Sequence, residues 1–158
     1  MASETKGGLK ETIVINAPSE TIKKALLDFE SYPNWMSGVV ETKVTSRDKK
    51  GRGTRVKYTV DAVLAKISYV LKYSYKDKEN RIDISYVEGD LDDVEAYYEF
   101  APLSKDRTEV TYYYKVSYSL PKALRGPIVG RLLKQVDKRV MKAALGDLKK
   151  RAEELASS

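Results

Sequence analysis

The chain has 158 residues, a formal net charge of +6, and neither cysteine nor histidine. At that length one domain can bury roughly 70% of its unfolded surface without metal or disulfide help, so a single domain is expected. The missing residue types exclude thiolate nucleophiles, disulfides and zinc–thiolate sites, and remove both the commonest metal ligand and the usual acid-base group near neutral pH. Catalysis, if any, would rest on carboxylates, Lys, Arg or Tyr, and no cofactor or metal site is expected.

Residues 1–8 are short, polar and charged and read as a disordered tail ahead of one domain over 9–156. They lack the apolar run of a signal peptide, and no later stretch approaches a membrane span, so a cytoplasmic location is expected. Leu9 to Asn16 reads as a strand ending in Asn16-Ala17-Pro18, where Pro18 suits a first helical position and Glu20 the positive helix end. Ile22, Ala25, Leu26 and Phe29 recur at helical spacing. Pro33 breaks that helix, because the residue before proline avoids the helical region, and a second short helix follows.

From Val39 the period becomes two. The alternating runs are Val40–Val44, Val56–Val60, Ile67–Tyr75, Ile82–Tyr86, Val94–Phe100 and Val110–Tyr118, separated by charged turns short enough for an antiparallel meander. The last hairpin has a testable register. Pairing residues whose numbers add to 210 sets Phe100 against Val110, Tyr98 against Tyr112 and Ala96 against Tyr114 inside, with Tyr97 against Tyr113 and Glu95 against Lys115 outside. After Pro121 and Gly126-Pro127, the positions Val129, Leu132, Leu133, Val136, Val140, Ala144, Leu148, Ala152 and Leu155 hold a three-four spacing that predicts a helix from about 128 to 155. The whole cationic excess lies in residues 121–158, with ten Lys and Arg against four Asp and Glu.

Nine of the twelve tyrosines share the inward parity of these strands with Val, Ile, Leu and Phe: Tyr58, Tyr69, Tyr73, Tyr75, Tyr86, Tyr98, Tyr112, Tyr114 and Tyr118. Buried phenols need hydrogen-bond partners, so two readings stand: an ordinary core whose hydroxyls reach rim or backbone groups, and the wall of a cavity. The candidate ligand-binding set is Trp35, Tyr58, Tyr69, Leu71, Tyr73, Tyr86, Tyr98, Tyr112 and Tyr114, with Val136 and Val140 from the helix. Mid-strand positions of that face are expected to carry no Asp, Glu, Lys or Arg, which leaves no candidate catalytic residue.

The element order, Ile13-Val14-Ile15-Asn16-Ala17-Pro18 leading into a helix, Phe29-x-x-Tyr32-Pro33-x-Trp35, and Val87-Glu88-Gly89 before the sixth strand together resemble the START-like superfamily, also called SRPBCC or birch-pollen-allergen-like. The resemblance covers residues 9–155 and is nearest the polyketide cyclase/dehydrase and coenzyme-Q-binding branch. It implies an α+β helix-grip fold, in which a curved seven-stranded antiparallel sheet wraps the C-terminal helix, with two short helices between strands 1 and 2. It further implies an apolar cavity for a lipid, quinone, sterol or polyketide.

Two functions follow: binding or carriage of a hydrophobic small molecule, and an aromatase/cyclase using tyrosine hydroxyls as proton donors. Phenols near pKa 10 are poor bases at neutral pH, which favours the first. Ala62-Val63-Leu64-Ala65 is an apolar hairpin tip suited to a transient membrane-surface contact, to folding over the cavity mouth, or to a longer strand pair. The basic helix carries interspersed acids and no base-stacking aromatics, so no nucleic-acid partner is expected.

Overall fold

The computed structural model describes residues 8–61, 66–119 and 127–157, with the backbone alone for 127–137. Seven strands form one antiparallel sheet in the order β1-β7-β6-β5-β4-β3-β2. They are β1 (Leu9–Ile15), β2 (Val39–Arg47), β3 (Gly53–Asp61), β4 (Lys66–Lys76), β5 (Arg81–Gly89), β6 (Asp93–Ser104) and β7 (Arg107–Ser117). The helices are α1 (Ser19–Leu27), α2 (Tyr32–Trp35) and α3 (Pro127–Ala156), and a 3-10 turn spans Phe29–Ser31. This is the expected α+β helix-grip architecture. The expected tail lies outside the described residues apart from Gly8, as do Ala62 to Ala65 at the hairpin tip.

Hairpin connections set β2 to β7 in sequence order, and β1 closes on β7. The β6–β7 ladder has the register that its side chains predict, with Tyr98 opposite Tyr112, Tyr97 opposite Tyr113 and Glu95 opposite Lys115. The first helix stops at Leu27, ahead of Pro33, and Pro33 instead occupies the first turn of α2. A proline there has no hydrogen bond to lose, whereas inside a helix it would break one.

The core lies between the inner sheet face, α1 and the C-terminal half of α3. Ile15, Ile22, Phe29, Val56, Val110, Leu145, Leu148 and Thr108 are its fully buried side chains. Thr108 is the buried polar residue among the described core, and its hydroxyl donates to the Ala17 carbonyl at 3.0 Å, fastening the β1–α1 corner.

The packing stripe of α3 differs in phase from the expected one. Met141, Leu145, Leu148 and Ala152 are buried, while Val140 is half-exposed. Both stripes meet at Leu148 and Ala152. Upstream of them, a step of three to Leu145 and then one of four to Met141 carry the larger side chains inward, where two steps of four would carry Ala144 and Val140.

Candidate functional site

Inward parity brings phenols from four strands together. Tyr58 and Tyr73 are buried and joined hydroxyl to hydroxyl, and Tyr58 stacks on Tyr69 at 5.6 Å between ring centroids. Tyr98 stacks on Tyr112 at 4.4 Å between ring centroids. Tyr114 continues the row at 6.1 Å from Tyr112. From the helical side, Phe29 sets its ring edge-on to Tyr73 at 4.8 Å, and Tyr32 meets Trp35 at 5.1 Å. Leu71 is buried in the same face, opposite Val56 and Tyr86.

Burial is the main cause that raises the pKa of Tyr32, Tyr58, Tyr69, Tyr73, Tyr98 and Tyr112, and for all but Tyr112 repulsion from neighbouring phenolates adds to it. Tyr32, Tyr58, Tyr73 and Tyr98 stand well above the ordinary value, and Tyr112 is pushed up to about 12. Tyr69 keeps some accessible surface, yet burial pushes its phenol up as well. The whole group is therefore neutral at physiological pH, able to donate hydrogen bonds and unable to serve as a base.

Other hydroxyls of the face have structural employment. Tyr32 donates to the Leu26 carbonyl, Tyr75 to that of Gly53 at 2.5 Å, and Tyr86 to that of Leu91 at 2.7 Å. The Tyr86 oxygen also accepts the Leu91 N–H at 3.2 Å, which pins the β5–β6 turn. Trp35 donates its ring N–H to Ser31 at 2.8 Å and remains partly exposed. Of the helix candidates, Val140 is half-exposed and the Val136 side chain lies outside the described residues.

One expectation for this face needs correction. The β1–β7 register sets Leu9, Glu11, Ile13 and Ile15 opposite Tyr114, Tyr112, Val110 and Thr108, so Glu11 shares the tyrosine face. Its exposure alternates accordingly, partly buried between exposed Lys10 and exposed Thr12. It is a charged residue at mid-strand on the inner face, and among the described residues no hydrogen bond or ion pair engages its side chain. Leu9, Ile13 and Ile15 share its parity, so alternation within β1 already places Glu11 on the apolar face, and the pairing with β7 adds its position opposite Tyr112.

Two concavities are lined by described side chains. A groove of about 160 Å³ lies on the outer sheet face between Glu41, Lys43, Lys57 and Thr59. A cleft of about 30 Å³ lies among Lys23, Leu27, Arg52, Tyr75, Asp77, Arg81 and Ile82. Among the described residues no group of three or more acidic residues could hold a metal ion, and no helix is long and apolar enough to cross a membrane.

A family model described as polyketide cyclase/dehydrase and lipid transport matches residues 7–153. The chain belongs to this family. No curated protein matches it. Among solved structures, a START superfamily protein from Mycobacterium smegmatis is 24% identical with a TM-score of 0.79, over 95% of this chain and 99% of that one. The Zhui aromatase/cyclase from Streptomyces is 14% identical with a TM-score of 0.79, over 92% and 93% of the two chains. A STAR-related lipid transfer protein from Xanthomonas axonopodis is 14% identical with a TM-score of 0.71, over 91% and 84%. At these identities the likeness is one of fold. Within the polyketide cyclase/dehydrase and lipid transport family, the chemistry of this chain has to be argued from its own inner face.

Proposed function

We propose that the chain binds a neutral hydrophobic small molecule between the inner sheet face and α3, with the ligand's polar atoms among the phenols. Donor arithmetic carries this reading. Tyr58 and Tyr73 form a hydroxyl pair, in which one hydrogen is used and one remains. Tyr69 has no hydrogen-bond partner among the described residues, although its hydroxyl is desolvated. That leaves two O–H donors on an apolar wall, and a desolvated donor left unsatisfied costs about 1–3 kcal/mol. A ligand with oxygen acceptors, such as a quinone or an aromatic ketone, would satisfy them, while apolar burial at roughly 25 cal/mol per Å² supplies affinity.

The same arithmetic ranks ligands. The protonated phenols donate, and Glu11 disfavours an anion, so a fatty acid should bind more weakly than a neutral carbonyl compound of equal size. Carriage, in which the ligand is released unchanged, requires no base. The test is extraction of the purified protein under denaturing conditions with mass spectrometry, followed by titration of quinones, sterols and fatty acids through quenching of Trp35. Saturable quenching by a quinone that weakens in Tyr69→Phe is expected. Absence of any co-purified hydrophobe, together with no quenching by any of the three classes, would sink the proposal.

Glu11 supports a second reading, an aromatase/cyclase in which this carboxylate is the base and the neutral phenols protonate enolate oxygens. Turnover of a poly-β-ketone substrate that is lost in Glu11→Gln, with Trp35 quenching retained, would favour it over simple binding.

A further inference from the structure

The outer face of β2, β3 and β4 carries an arrangement that strands ordinarily avoid. Lys43 stands directly opposite Lys57, and Arg55 directly opposite Lys72. All four are exposed, and like charges in that position are destabilising. Five cations of the described surface find carboxylates: Arg47 with Glu30, Lys50 with Asp77, Arg52 with Asp48 and Asp77, Arg81 with Asp83 and Glu99, and Lys149 with Glu153. Many others, such as Lys10, Lys115 and Lys142, form no ion pair among the described residues, and neither do Lys43, Arg55, Lys57 and Lys72. What sets this face apart is the direct opposition of like charges. The nearest acids by register are Glu41, which shares the groove with Lys43 and Lys57, Glu88, opposite Val70, and Asp83, opposite Ser74 and already paired with Arg81.

A lysine on an edge strand is a common guard against edge-to-edge pairing, which would explain Lys43 on β2. It does not explain Arg55, Lys57 and Lys72, which lie on strands paired on both sides. We infer that this face docks onto an anionic lipid surface. Three strands about 4.8 Å apart, with successive same-face residues about 7 Å apart, spread the four charges over a patch roughly 10 Å across. Such a patch matches a plane of phosphates better than one enclosed anion. The docking is separate from ligand binding and stands whether or not a hydrophobe occupies the inner face.

Co-sedimentation of the full chain with vesicles tests it, comparing phosphatidylcholine alone with phosphatidylcholine plus phosphatidylglycerol, at low and high salt. Binding only to the anionic vesicles, abolished by salt, is expected. Lys57→Glu turns a repulsive pair into an attractive one, so its thermal midpoint should hold or rise while vesicle partitioning falls at least about fivefold, near the effect of one surface charge. Lys142→Glu makes the same change of net charge on exposed α3 and should leave binding nearly intact. Equal losses in the two variants, or no binding to anionic vesicles, would overturn the inference; retention on immobilised polyglutamate without vesicle binding would reassign the face to an acidic protein.

Discussion

Gly89 stands opposite Tyr69 across the β4–β5 ladder at φ +134°, and a Cβ added to it would fall 2.4 Å from the Tyr69 Cα. The ladder slips beside them, between Val70 and Leu71, so glycine there lets the backbone close on the tyrosine that carries an unpaired hydroxyl. Gly89→Ala should lose about 2 kcal/mol or more in urea unfolding, through the positive φ and the collision together. An unchanged urea midpoint would contradict this close approach.

The Tyr58–Tyr73 hydroxyl pair gives a sign test. Either single change to Phe leaves one buried hydroxyl without its partner and should cost about 1–3 kcal/mol, whereas the double change removes both and should cost less than the two singles combined. A double-mutant cycle by chemical denaturation measures the difference. Additive losses would mean that the two hydroxyls do not meet.

Alkali should unfold the chain by way of its interior. Burial holds Tyr32, Tyr58, Tyr98 and Tyr112 above the pKa near 10 of an unfolded tyrosine, Tyr112 at about 12. The folded chain thus keeps these protons after the unfolded chain has released them. Their contribution is complete below pH 10 and declines as pH rises towards 12 and beyond, by up to about 1.4 kcal/mol per pH unit for each such group. Denaturation midpoints from pH 8 to 11, followed with tyrosinate absorbance, would show the fall; a flat profile would count against buried phenols.

Tyr86 tests the division of labour among the tyrosines. Its hydroxyl both donates to and accepts from the backbone of Leu91. Tyr86→Phe should therefore cost about 1–2 kcal/mol in stability while leaving ligand affinity almost unchanged. Tyr69→Phe should show the opposite pattern.

The phase of α3 can be checked with two truncations. Leu145→Ala, at a site 2% exposed, should lose about 2–5 kcal/mol, and Val140→Ala, at a site 50% exposed, within about 0.5 kcal/mol. The ranking by thermal melting would reverse if the stripe ran through Val140.

The β6–β7 register was legible in the sequence because its two faces agree at once: aromatic and β-branched pairs on one, Glu95 with Lys115 on the other. The tyrosine face followed from the same period of two. What escaped depended on distant partners. Nothing near Glu11 announces that β1 pairs with β7, and that pairing is what sets Glu11 beside Tyr112. The phase of α3 escaped for a different reason, since a helical repeat of 3.6 lets steps of three and of four fit the same apolar residues, while the lock of Tyr86 on Leu91 depends on the path of the turn between them.

Lys57 and Tyr58 are adjacent in the chain, one exposed on the outside of the sheet and one buried within it. Loss of a single residue ahead of them in β3 would therefore exchange cations for phenols along the rest of that strand, while loss of two would preserve every orientation and merely shorten the ladder. Length variation within these strands should accordingly be tolerated in even steps, and odd steps only where a bulge such as those in β2 absorbs them.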